Sequence, residues 1–361
     1  MSAAGETGLL SSSPGVGAAR PLDVAVRERL VLAVLVLSLP VAILLAAGIG
    51  SVGIPAASWL SILEGRPDGL GSLVLTIRLP RVAMAGLVGA GLALAGASLQ
   101  AMFRNPLADP GLTGPASGAM LAAVAVIVLW HHASAGALGL LGVYTLPVAA
   151  SLGCAATTVL VYRLAREADG QVSIGRLLLA GIGVNAFVAA LVGVLITMSD
   201  DNQLRSIQFW MMGSLGGIGW INALAAGPVV LVAGLVLARC GRALDAFTLG
   251  EGDAFAAGVD TRRLKRVVIA AGAFCTGASV AFTGLIGFVG LIAPHIVRFL
   301  GGHRHPFVLP ASALLGAILV ILADVVARIL VAPAELPIGI VTSLIGAPFF
   351  LALLQSRSAR A

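Results

Sequence analysis

The sequence predicts an all-α integral membrane protein with ten transmembrane helices. Three observations carry that expectation: an apolar share of 59% against 11% charged in 361 residues, apolar runs of spanning length, and basic residues gathered between those runs. An ordinary soluble domain carries roughly 25% charged residues, so water cannot be the main solvent of this chain. Its apolar side chains number about 213, close to the ~200 that ten bilayer-spanning helices of ~20 residues would use. A soluble enzyme and a disordered chain are thereby excluded. Glycine reaches 46 residues, near twice the usual ~7% and without a collagen period. In lipid, small residues let helix backbones approach closely, so the glycines read as packing positions.

Residues 1 to 28, rich in Ser, Gly and Ala around Pro14, lack a charged start and an apolar centre. They read as a disordered cytoplasmic leader, not a signal peptide. One ten-helix transmembrane domain is expected over 29 to 356, with a cytoplasmic tail at 357 to 361. Apolar runs fall at about 30 to 50, 79 to 103, 114 to 130, 141 to 165 and 176 to 198. Five more fall at about 221 to 239, 265 to 283, 285 to 300, 307 to 330 and 338 to 355. Arg20, Arg27 and Arg29 precede the first run, which puts the N-terminus inside, and ten crossings return the C-terminus to the same side. Two outer loops exceed a turn. Residues 51 to 78 carry Pro55, Trp59 and Pro67, and 199 to 220 read as a short helix lying at the outer surface. Trp59, Trp130, Trp210 and Trp220 all fall near the outer face, as an aromatic belt would.

The net charge is +6 with 22 basic residues, all but Lys265 being arginine, and the pI is near 10.2. A basic balance can mark a nucleic-acid partner, but here placement decides otherwise. On the ten-span arrangement 17 of the 22 basic residues lie inside, and the other five are Arg66, Arg78, Arg81, Arg205 and Arg328. That asymmetry is the positive-inside pattern, and no nucleic acid is expected. Cys154, Cys240 and Cys275 sit in or beside apolar runs without CxxC spacing, so neither a disulfide framework nor a metal site is expected.

No Walker A loop, HExxH helix or GxSxG turn is present. The most informative stretch is RLPRVAMAGLVGAGLALAGASLQAMFRNPLADPGLTGPASGA at 78 to 119. Pro80 suits a first helical turn, Gly86, Gly89, Gly91 and Gly96 thin the helix, and Asn105-Pro106 stops it. Here the chain resembles the permease subunits of the iron-chelate, heme and vitamin B12 family of ATP-binding-cassette (ABC) importers. The resemblance continues through RLLLAGIGVNA (176 to 186), FWMMGSLGGIGW (209 to 220), LGEGDAFAAGVDTRRLKR (249 to 266) and GFVGLIAPHIVRFLGGHRH (287 to 305). It ends with ADVVARILVAPAELPIGIVTSLIGAPFFLALL at 323 to 354 and covers nearly everything after residue 30.

The resemblance implies the type II ABC importer permease architecture: a homodimer with its substrate path on the two-fold axis, in a bacterial inner membrane. Two cytoplasmic ATPase subunits would hold ATP and Mg, a periplasmic binding protein would deliver the cargo, and this chain would be neither enzyme nor cofactor carrier. Gly250, Glu251, Ala257, Gly258 and Val259 would belong to coupling helices seated on the ATPase; from the residues alone, 240 to 264 is an ordinary loop with tight turns. Arg78, Arg81 and Arg328 would receive acidic side chains of the binding protein, although Arg328 could instead pair with Asp324 one turn back. Ser173, Ile174 and Gly175, in QVSIGR, align with a cytoplasmic gate. Met198, Ser199 and Asn202 fall where the family has its outer gate, while Ser and Asn at a helix end also serve as caps.

Heme is the cargo expected, because SDDNQLRSIQFWMMGSLGG at 199 to 217 resembles heme permeases, and a Met-rich vestibule suits a flat amphiphilic cargo. A ferric siderophore or vitamin B12 is the alternative. His131, His132, His295, His303 and His305 read as interfacial, packing and loop residues rather than iron ligands. A proton-coupled secondary transporter is the rival of another class, and Asp324 and His295 are its only relay candidates at membrane depth. A structural membrane scaffold would leave the loop at 240 to 264 without a purpose.

Overall fold

In the computed structural model, which describes residues 21–50, 52–129, 144–167 and 171–358, the apolar runs fold as helices. The chain order is α1 (Pro21–Gly48), α2 (Ala56–Leu63), α3 (Gly69–Leu73), a π-helical turn (Val74–Arg78) and α4 (Leu79–Phe103). A 3-10 turn (Pro110–Thr113), α5 (Pro115–Leu129), α6 (Thr145–Ala165), α7 (Ile174–Thr197), α8 (Asp201–Met212) and α9 (Trp220–Arg239) follow. The remainder is α10 (Gly241–Leu249), α11 (Glu251–Ala256), α12 (Thr261–Thr283), α13 (Val289–Leu300), α14 (His305–Ile329) and α15 (Ile338–Ser358). Among the described residues, seven helical stretches are long and apolar enough to cross a membrane. Three shorter apolar ones, Pro115–Leu129, Val289–Leu300 and Ile338–Leu353, occupy the other expected runs.

The short members have local causes. The 12 residues of α13 rise only about 18 Å, less than the ~30 Å hydrocarbon core. The backbone before it, from Gly284 to Phe288, is irregular, and a Cβ on Gly284 would stand 2.0 Å from the Trp210 carbonyl oxygen. Non-helical backbone at membrane depth is tolerated where protein covers it. Here the segment after α8 does so, with Ser214 N donating to Thr283 O at 2.7 Å.

Two terminal boundaries differ from the sequence reading. Helix α1 begins at Pro21, inside the stretch read as a disordered leader. Arg27 Nη2 donates to Phe299 O at 3.1 Å and its Nε to Leu300 O, a tertiary anchor that composition does not reveal. At the other end α15 continues through residues 357 and 358, read as tail. Residues 1–20 and 359–361 lie outside the described residues, as do Trp130, His131 and His132. The expected helix after residue 199 is α8, closed at its start by Asp200 accepting from Gln203 N, with Gln203 Oε1 accepting from Asp200 N in return.

Helix α4 is buried along nearly its whole length, between α14, α12, α9 and α13. Its glycines explain how. A Cβ on Gly89 would lie 2.1 Å from Gly316 O of α14, and one on Gly96 would lie 2.0 Å from Gly290 O of α13. Gly118 of α5 and Gly153 of α6 meet in the same way: a Cβ on either would lie 2.2 Å from the other's carbonyl oxygen. Backbones therefore touch at these crossings without intervening side chains, the close approach expected of helices in lipid.

Gly89→Ala and Gly96→Ala should each lower unfolding stability in detergent by about 1–3 kcal/mol or more through overpacking against backbone. Gly183→Ala on α7, whose Cβ would meet nothing within 4 Å, should be neutral or stabilising. Equal melting behaviour of all three variants would contradict the backbone-contact account.

Candidate functional site

At the end where α4 begins and α14 stops, three arginines meet. Arg78 closes the π-helical turn, Arg81 stands in the first turn of α4, and Arg328 in the last turn of α14. Arg81 forks onto Asp324, with Nη2 2.9 Å from Oδ1, and its Nη1 lies 2.9 Å from Glu335 Oε2. Arg328 reaches the same Asp324 from one turn away, Nε to Oδ2 at 3.1 Å. Its Nη2 and Nη1 donate to Ala46 O at 2.9 Å and Ile49 O at 3.0 Å. Arg78 Nη1 donates to Ala47 O and Gly48 O, both at 2.9 Å, and its Nη2 to Val52 O. The final carbonyls of α1, which no further helical turn satisfies, thus receive two guanidinium groups, an arrangement the helix dipole favours.

All three arginines and Asp324 are buried, while the Glu335 side chain is 46% exposed. Three guanidinium groups face two carboxylates, so the cluster is formally positive. The pairing of Arg328 with Asp324 is therefore present, and Arg81 adds a second hand on the same carboxylate. A buried charge whose partner is removed costs several kcal/mol, and this network locks α1, α4 and α14 together. Glu335 is a member that the sequence reading did not single out. Its place in the turn before α15 follows from tertiary packing alone.

At the opposite end, the segments expected to form the cytoplasmic gate and the coupling helices come together around a cavity of about 1090 Å³. Ser173, Ile174 and Gly175 line it from the start of α7, and Glu251, Gly258 and Val259 line it from α11 and the turn after it. Gly250 and Ala257 are not in the lining; they bracket α11 as its caps. Gly258 holds φ +85, a left-handed conformation that L side chains rarely adopt. The segment at 171 to 175 is pinned by an antiparallel bridge between Arg166 and Val172 and by Ser173 N donating to Ala165 O at 3.2 Å.

One side chain joins the two segments. Lys265, in the second turn of α12 and only 5% exposed, lies 2.5 Å from Glu251 Oε1 and donates to Val172 O at 2.9 Å. Sequence reasoning missed it as a site residue. The available signal was its identity: the single lysine in a chain whose other basic residues are all arginine. A compact ammonium with three donors can divide itself between a carboxylate and a carbonyl in a confined space.

The residues expected at the outer gate are less unified. Met198, the cap closing α7, is exposed. Ser199 Oγ donates back to Ile196 O at 2.6 Å, and Asn202 N donates to Asp200 Oδ1 at 2.9 Å. The cap of α8 is Asp200, not Ser199 or Asn202. His295 packs edge-on against Phe349, ring centroids 5.8 Å apart. Among the described residues no three His, Cys, Asp or Glu side chains are placed to hold a metal ion.

The family model described as the FecCD transport family matches residues 37–356. The hemin transport system permease protein HmuU of Yersinia pestis is 41% identical over 333 residues, covering 91% of this chain and 96% of the relative. The cobalamin import system permease protein BtuC of Halobacterium salinarum is 42% identical over 297 residues, covering 82% and 77% respectively. A solved ABC transporter structure assigned to the metal-chelate type, in an inward-facing conformation, superposes with a TM-score of 0.77 at 34% identity. It covers 91% of this chain and 99% of that one. The chain belongs to the FecCD transport family: it is a multi-pass inner-membrane permease subunit of an ABC importer, similar to permeases of hemin and cobalamin transport systems and to a transporter of the metal-chelate type.

Proposed function

We propose that this permease carries cobalamin, ahead of heme or a ferric siderophore, from periplasm to cytoplasm by alternating access, with ten crossings and both termini cytoplasmic. The observation that carries the transport mechanism is the shared cavity, where gate and coupling segments meet through Lys265. Cobalamin is favoured because permeases of cobalamin import systems recur among the relatives, at 42% identity in Halobacterium and 40% in Salmonella. A hemin permease at 41% keeps heme as the second reading. In proteoliposomes holding the permease with its ATPase and binding protein, cobalamin should accumulate and stimulate ATP hydrolysis. Stimulation by hemin or a ferric siderophore alone would overturn the cobalamin assignment.

Energy coupling is assigned to Gly250, Glu251, Ala257, Gly258 and Val259. Leu249, just before this segment, and Phe255, within it, are 80% and 73% exposed. Large apolar side chains presented on a polar loop suit the cleft of a partner protein. ATP-driven closure of two ATPase subunits would move α11, and Lys265 would carry that motion to Val172 and so to Ser173, Ile174 and Gly175. Because the ammonium is bound at both ends, Lys265→Met should raise the ATP consumed per cargo molecule while leaving membrane insertion intact. Glu251→Gln, which keeps the hydrogen bond and loses the charge, should act in the same direction more weakly. Unchanged coupling in Lys265→Met would remove the latch from the mechanism.

Arg78, Arg81 and Arg328 are assigned to binding-protein docking, with Glu335 as an internal occupant. An acidic side chain of the binding protein would take the exposed position that Glu335 holds on Arg81. Glu335→Gln should then strengthen docking by about two- to fivefold, the range of an exposed ion pair, with salt-sensitive association. Asp324→Asn should instead lower stability by about 3–5 kcal/mol, because it leaves two buried guanidinium groups short of charge. Docking weakened by Glu335→Gln in a folded protein would make the cluster a scaffold and place the docking surface elsewhere. Met198, Ser199 and Asn202 are kept as the outer end of the path along a two-fold axis with a second copy.

A further inference from the structure

A second pocket, of about 510 Å³, opens at the same end as the gate cavity, between the last turns of α4 and α13, α10 and the start of α14. Arg104, Arg298, His295, His303 and His305 line it, and among the described residues of its lining there is no carboxylate. Two full positive charges therefore stand at one concavity. Asp245 is engaged by His305, its Oδ1 2.6 Å from Nδ1 and 2.7 Å from the backbone N.

The cationic groups are held in place before any ligand arrives. Arg104 caps α4 in the left-handed conformation at φ 49. Its Nε donates to Phe247 O at 3.1 Å, and its guanidinium carbon sits 5.3 Å from the Phe247 ring centroid. Both contacts fix the plane of the fork and leave its terminal nitrogens to a ligand. Arg298 is oriented by Gln100, whose Oε1 accepts from Nη2 at 2.5 Å and whose Nε2 donates to Gly290 O at 3.2 Å. Two planar forks set around one cavity suit a tetrahedral oxyanion better than a single carboxylate.

Depth and surroundings identify the source of that oxyanion. Arg104 ends one membrane-length helix and His305 begins another, which puts the pocket at headgroup level. Phe299, at its rim, is 79% exposed, and Leu300 beside it is exposed as well. Their carbonyls anchor Arg27 of α1, a helix whose apolar window is only 22% buried and so faces outward. The pocket thus opens at the rim of the bundle, with an apolar flank leading from it. We propose that it binds the phosphate headgroup of an anionic phospholipid, with Arg104 and Arg298 as phosphate ligands and an acyl chain along Phe299.

The test is native mass spectrometry of the full chain, stripped of lipid and resupplied with equal phosphatidylglycerol and phosphatidylcholine. Phosphatidylglycerol should be retained preferentially, and the Arg104→Gln/Arg298→Gln double variant should lose about thirtyfold in affinity. Arg263→Gln/Arg266→Gln, which removes the same charge from exposed positions outside the pocket, should retain the preference. His303→Asp puts a carboxylate on the exposed rim without touching the core, and should weaken retention even if the double variant fails to fold. Equal retention of both lipids, or full retention by His303→Asp and the double variant, would overturn the proposal. So would inorganic phosphate that binds the pocket and is not displaced by phosphatidylglycerol.

Discussion

The structure depends on α4 touching two neighbours backbone to backbone. Gly89 against Gly316 and Gly96 against Gly290 remove the side chains that would otherwise hold α14 and α13 at ordinary helix spacing. In water the hydrophobic effect would draw the helices together; in lipid that force is absent and close packing must replace it. Both ends of the molecule inherit their geometry from this helix. Its first turn supplies Arg81 to the ion network, and its last turn supplies Gln100 and the capping residue Arg104 to the basic pocket.

The two ends differ in how firmly they are held. Around Arg81, Asp324 and Arg328 the bonds are multiple, buried and shared among α1, α4 and α14, so no one of these helices moves without breaking several of them. Around the cavity at the other end, Lys265 ties Val172 to Glu251 with one ammonium group held by a carboxylate and a carbonyl. A transporter that alternates its access needs a rigid frame and a segment whose alternatives differ by little free energy. In the transport cycle proposed here the arginine end would be the frame and the cavity end the adjustable element.

Much of this was legible in the residues. The apolar runs placed every long helix because burial in lipid imposes length and hydropathy directly, and the glycines of 78 to 119 announced the close crossings. The coupling and gate segments came from motif resemblance, yet nothing in their spacing said that they face the same cavity. That juxtaposition depends on how α7, α11 and α12 pack, and it is what makes Lys265 meaningful. The arginines were visible as basic residues, but their burial was not, since Asp324 lies 243 positions from Arg81 in the chain. The start of α1 was missed for the same reason: Arg27 finds its partners on α13.

The proposed orientation puts the arginine end at the periplasm and the cavity lined by Ser173 and Lys265 at the cytoplasm. Leu63 and Phe255, 83% and 73% exposed, mark the two ends. In a background with Cys154, Cys240 and Cys275 replaced by alanine, a single cysteine at each position can be challenged with a membrane-impermeant thiol reagent in intact spheroplasts. With that orientation Leu63→Cys reacts at once and Phe255→Cys reacts only after lysis. Labelling of Phe255→Cys in intact cells, with Leu63→Cys protected, would contradict it.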